Sequence, residues 1–232
     1  MDFSNLKVAV LHYWLTSYRG GERVVKQILK LFPQADIYTL FADPQICREH
    51  FAGHKIYSSF LDKPILRRYY KNLFPLYPMG VEKINCNRKS GPIKGIPNPH
   101  GIPHICYIHT PMRYCWGYTE DYLQSIPEPL KYAVAHMFRK LRRWDYTTRD
   151  APDLYIANSK NVRTRVKQYY HKEAEVIYPP VSAYLFDEPL EAQKEKYYLY
   201  LGAVTPYKGV NMMIEAFNIT RKPLVIASDR AD

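Results

Sequence analysis

Short apolar runs and helix-spaced apolar positions alternate along the chain. Lys7 to Leu11 is such a run and predicts a first buried strand. From Glu22 onward Val24, Val25, Ile28, Leu29, Leu31 and Phe32 recur on one helical face, and Pro33 closes that helix. Ala35 to Leu40 predicts the second strand. A β-α-β opening with a buried first strand predicts an α/β fold with a parallel, doubly wound, Rossmann-like sheet.

The alternation then pauses. Between Phe60 and Pro78 basic residues (Arg67, Arg68, Lys71) are mixed with Tyr69, Tyr70, Leu73, Phe74, Leu76 and Tyr77. This stretch reads either as a lipid-facing surface or as a helix with an aromatic inner face. Glycines and prolines mark residues 85–104 as loop. Ile105 to Ile108 predicts a strand, and Pro111 stops it. A helix is expected from about Glu128 to about Arg149. Asp153 to Ala157 predicts a strand, Ser159 an N-cap for the next helix, and Glu175 to Tyr178 a further strand before Pro179 and Pro180. Asp187 to Lys196 is charged and contains Pro189, as a linker would. Tyr197 to Leu201, a helix bearing Val210, Met213, Ile214 and Phe217, and Leu224 to Ala227 make a last β-α-β. The expected organisation is a domain over 1–183, a linker over 184–196 and the incomplete opening of a second Rossmann-like domain over 197–232. So short a unit buries no core by itself.

Two strand ends carry chemistry. Ligands of open α/β sheets sit outside the carboxyl ends of the strands. His109, Thr110 and Arg113 follow the Ile105–Ile108 run. His109 there can orient a substrate or share a proton, or it can simply bond a neighbouring loop. Gly20 and Gly21 lie between the first strand and first helix, where backbone N–H groups can approach an anion and Arg19 would add charge. Turn geometry alone also explains two glycines.

Composition adds three things. The 232 residues carry a formal charge of +11. Between Lys55 and Lys94 nine basic residues stand against Asp62 and Glu82, a net +7, which suits an anionic partner or a solvated basic face. No nucleic-acid-binding motif accompanies that charge. Cys47, Cys86, Cys106 and Cys115 form no CxxC pair and read as free thiols. No signal peptide opens the chain and no apolar run reaches the length of a membrane span, so a cytoplasmic, at most membrane-peripheral, protein is expected.

Taken in order, VLHYWLTSYRGGERV, LFPQADIYTLF, ICYIHTPMRYCW, RRWDYTTRDAPDLYIANSKNVRTRV, EVIYPPV and YLYLGAVTPYKGVNMMIEAF resemble glycosyltransferase family 4. The likeness is to the bacterial subgroup that builds lipopolysaccharide and capsular polysaccharide, and it covers nearly the whole chain. It implies a GT-B fold, in which two Rossmann-like domains face each other across a cleft. The acceptor binds mainly the first domain and the sugar nucleotide, GDP- or UDP-linked, mainly the second. It also implies retaining transfer, of a mannosyl group or another hexosyl group, to a polysaccharide or lipid-linked acceptor, without a metal. By this resemblance His109 contacts the transferred sugar and is the catalytic candidate. Gly20 and Gly21 lie near the donor diphosphate or the acceptor, and Lys208 pairs with the diphosphate. Three departures accompany it. Ala203 and Val204 stand where the family places an arginine. Asn85 to Ser90 replaces a strand of the family's sheet. The family's Glu-x7-Glu donor motif does not occur. The other reading is a non-catalytic remnant that keeps an acceptor-, membrane- or partner-binding surface.

Overall fold

The computed structural model describes residues 5–84, 101–124, 126–181, 195–202, 204 and 208–228. The chain divides into two compact units, Met1–Val181 and Ser182–Asp232. The expected linker lies outside the described residues except for Glu195 and Lys196, and so does the segment expected to replace a family strand.

In the first unit β1 (Ala9–Leu15), α1 (Gly20–Leu31), β2 (Asp36–Ala42), α2 (Pro44–His50) and β3 (Ile56–Ser58) follow in turn. All three strands pair in parallel, Ala9 opposite Asp36 and Ile37 opposite Ile56. The first strand runs four residues past the expected Leu11. His12, Thr39, Trp14 and Phe41 continue the ladder, so His12 lies inside the strand. β3 escaped the sequence reading because three residues carry no detectable alternation. Asp43 caps α2 by accepting from the N–H groups of Gln45 and Ile46. α1 buries Val24, Val25 and Leu29, and the last two pack with Val10, Leu15, Ile37 and Phe51. Leu31, expected on that face, is exposed.

The mixed basic and aromatic stretch forms α3 (Pro64–Arg68), a 3-10 segment (Tyr70–Leu76) and α4 (Tyr77–Glu82). Tyr77 and Val81 bury against Tyr38, Leu40 and Phe41 of β2. Gly80 permits this approach: a Cβ there would stand 2.8 Å from methyl groups of Leu40 and Leu61.

A second parallel sheet contains β4 (Ile105–Ile108), β5 (Leu154–Ala157) and β6 (Glu175–Val176). Between β4 and β5 run α5 (Thr119–Gln124) and the long α6 (Glu128–Thr147); α7 (Lys160–Tyr170) follows β5. Ser159 caps α7 as expected, accepting from Val162 N–H at 3.2 Å. Phe138, Leu141, Val162, Val166, Trp116 and Tyr170 cover Ile108, Tyr155 and Ala157. Asp145, 2% exposed, is held inside this core. Trp116 Nε1–H and the Tyr170 hydroxyl each donate to its Oδ2 at 2.7 Å. Burial pushes the Tyr170 hydroxyl well up from its ordinary range, and Asp145 adds to the effect.

The strand orders are β1-β2-β3 and β4-β5-β6. Among the described residues no ladder joins the two sheets. The two sheets nevertheless approach each other at one glycine. His12 of β1 and His109, just past β4, both lie beside Gly21. Gly21 thus lies past the carboxyl end of β4, where the ligand crevice of an open α/β sheet is found.

The second unit holds β7 (Tyr198–Leu201), α8 (Val210–Thr220) and β8 (Leu224–Ala227), its two strands parallel. The Tyr198 ring meets Phe217 of α8 edge-on, with centroids 5.2 Å apart. On the opposite face Leu199, Leu201 and Val225 are exposed.

Candidate functional site

Gly21 is the centre of the site. A Cβ there would lie 3.3 Å from His12 Cε1 and 3.8 Å from His109 Nε2. The absence of a side chain lets the start of α1 sit between a histidine of β1 and one just past β4. Gly20 has nothing within 4 Å, so its space is open.

The first histidine is held by a carboxylate. His12 Nε2–H donates to Glu22 Oε1 at 3.0 Å. Glu22 Oε2 accepts the Arg19 N–H at 2.8 Å, a carboxylate at the third helical position reaching back to the helix cap. Glu22 is 4% exposed. Burial works to raise its carboxyl. The bond and charge of His12 and the Arg19 N–H outweigh burial and leave it below the ordinary value of 4.5. Glu22 therefore fills the N-terminus of α1 with its own negative charge.

The second histidine is held by an amide. Asn158, the residue after β5, donates its backbone N–H to Ile108 O, one residue before His109. Its side-chain Nδ2 lies 3.4 Å from His109 Nδ1. Burial lowers His109 below its ordinary 6.5, and nearby His12 lowers it further, while Glu22 opposes both. At neutral pH His109 is uncharged.

Thr110 Oγ1 accepts from Arg165 Nη1 of α7 at 3.2 Å. Arg113 is exposed on the turn that carries Cys115 and Trp116 into the core, its carbonyl accepting from Trp116 and Tyr118. The Arg19 side chain is exposed. Lys208 belongs to the second unit, where it is exposed just before Gly209, the left-handed cap residue that precedes α8. Of the expected residues, then, His109 and Gly21 adjoin directly, with Thr110 beside them. His12, Glu22, Asn158 and Arg165 escaped the sequence reading. The one sequence signal for Glu22 was its spacing three residues after Arg19; nothing local pointed to His12 or Asn158.

Among the described residues no group of three His, Cys, Asp or Glu could hold a metal ion. Cys47, Cys106 and Cys115 are free thiols. No described helix is long and apolar enough to cross a membrane. No protein-family model and no curated protein matches the chain.

Proposed function

We propose that this chain is a glycosyltransferase of the retaining, sugar-nucleotide-dependent kind, and that its first unit receives the acceptor. One observation carries the reading. A carboxylate, two imidazoles and an amide converge near Gly21, His109 and Asn158 coming from just past the carboxyl ends of β4 and β5. Such groups orient sugar hydroxyls, each by a directional hydrogen bond.

The same geometry narrows the role of the Gly20–Gly21 turn. A helix N-terminus attracts anions, but here Glu22 already occupies it. A diphosphate would meet that buried negative charge. The turn therefore serves hydroxyls, and the donor diphosphate falls to Lys208 and the start of α8. There Gly209 makes no side-chain cap, and a lysine at a helix N-terminus suits the charge that develops on a leaving nucleoside diphosphate.

The test is direct. Chain incubated with GDP- and UDP-linked hexoses and oligosaccharide acceptors is assayed for nucleoside diphosphate release and for new glycosidic product. Release that depends on both donor and acceptor supports the reading. No release, with no acceptor perturbing His109, refutes it.

A second reading, a non-catalytic surface protein, is favoured by one patch. Ile65 (77% exposed), Tyr69 (54%) and Phe60 stand beside Lys63 and Arg68, and Lys83 lies 5.5 Å over the Phe60 ring. Apolar side chains among cations suit an anionic bilayer surface. Flotation with anionic vesicles, weakened by salt and lost in Ile65→Asp/Arg68→Glu, is the expected result.

A further inference from the structure

We infer that Asn158 and Ser159 are positioning residues that fix His109 with its proton on Nε2, so that at the acceptor site proposed above it donates a hydrogen bond and does not accept a proton. The inference rests on that reading for the identity of the bound oxygen, but not for the state of the ring.

The chain of bonds starts at α7. Ser159 Oγ accepts the Val162 N–H at 3.2 Å, which fixes its position as a cap. Its hydroxyl proton goes to Asn158 Oδ1, also at 3.2 Å. That leaves the Asn158 NH2 group facing His109 Nδ1 at 3.4 Å. An amide nitrogen can only donate, so Nδ1 must accept and the proton must sit on Nε2. Turning the amide over would set its NH2 group against the Ser159 hydroxyl and lose the bond that the hydroxyl donates to Oδ1. The backbone bond from Asn158 N–H to Ile108 O holds the two side chains in register across β5 and β4.

The consequence lies at the other end of the ring. Nε2 faces the crevice at Gly21, with His12 and Glu22 on the far side. The His12 Nε2–H is already engaged as a donor to Glu22. The His109 Nε2–H is thus the donor directed at the crevice, suited to a sugar oxygen or to charge developing on one. A neutral imidazole that donates to a reacting oxygen is an established electrophilic device.

The experiment reads the ring itself. The 232-residue chain labelled with 15N is examined by long-range proton–nitrogen correlation of its imidazoles at pH 7.5, with His109 assigned by its loss in His109→Gln. The expected pattern is a protonated Nε2 and a bare Nδ1. Asn158→Asp replaces the donor by a carboxylate, which only accepts. The proton then appears on Nδ1 and the His109 titration midpoint moves upward. Ser159→Ala releases the amide and mixes the two tautomers, while Ser159→Thr, which keeps the hydroxyl and the cap, restores the original pattern. A proton on Nδ1 in the unaltered chain overturns the inference without recourse to any variant, and so does an unchanged pattern in Asn158→Asp. If the pattern is as expected but no acceptor or sugar nucleotide shifts the His109 signals, the ring assignment stands and the glycosyltransferase reading falls.

Discussion

His12 and His109 flank the same glycine, yet their partners differ. A carboxylate holds His12 from its own strand–helix unit. An amide holds His109 from the neighbouring strand. A carboxylate accepts only, so it takes up the His12 Nε2–H; an amide can take either side of a bond, and here its NH2 group faces His109 Nδ1. The first pair is therefore a structural lock. Glu22 ties together the middle of β1, the helix cap and the start of α1. The second pair leaves one ring nitrogen free for a ligand. Side by side they show that a histidine's role follows from which of its nitrogens is already engaged.

The largest expected effect falls on the free ring. His109→Ala should lower nucleoside diphosphate release by about 100-fold, the scale for removing a donor aimed at developing charge, with little change in the melting temperature. An equal loss from His12→Ala with an unchanged melting temperature would erase the distinction between the two histidines. Glu22→Ala should act the other way. It leaves His12 Nε2–H and Arg19 N–H without their acceptor, at a cost of about 2 kcal/mol in stability. Chemical denaturation measures this, and an unaltered midpoint would show that the lock carries no stability.

The adjacent glycines sharpen the contrast. Alanine at either position favours the helix by up to about 1 kcal/mol. At Gly20 the methyl meets open space, so the protein should be slightly more stable and bind acceptor as before. At Gly21 it would enter the crevice between the two histidines. Acceptor binding, followed by calorimetric titration, should fall several-fold while stability holds. Equal effects at both positions would remove Gly21 from the site.

The smallest effects lie in the pH dependence. Both groups have lowered folded-state values, so both contribute stability at higher pH and lose it on acidification. The windows differ. His109 stays neutral in the fold while the unfolded chain begins to take up protons near pH 6.5, so its contribution fades as the pH falls below that value. Glu22 remains ionised in the fold below the ordinary 4.5, so its contribution is lost only as the pH falls further, through its folded value. The difference in urea midpoint between the unaltered chain and His109→Gln should change in the first window, and that for Glu22→Gln in the second. A single shared window would mean that the two clusters titrate as one.

The candidate site was half legible. His109 and the glycines were visible because each follows an apolar run, and a run that stops at Pro111 or at Gly20 announces a strand end. Ser159 was visible as a cap because capping is read within three residues. Asn158 and His109 are bonded across two strands that lie 49 residues apart in sequence, and no local pattern encodes that contact. Arg165 reaching Thr110 over 55 residues is the same case. The basic stretch was seen as mixed, but which aromatics faced in could not be read. Pro75 and Gly80 break the helical period there, and packing turned Tyr77 inward and Tyr69 out.

What the chain's own pattern determined was the succession of strands and helices, their parallel sense and the polar residues placed at strand ends. These depend on burial period, turn residues and caps, all of which act over a few residues. Tertiary structure alone decided that His12 and His109 meet at Gly21, that Glu22 turns into the site instead of toward solvent, and that His12 belongs to a strand. Each of those depends on which surfaces meet after the chain has closed loops of tens of residues, and side chains far apart in sequence then set one another's hydrogen bonds and charge.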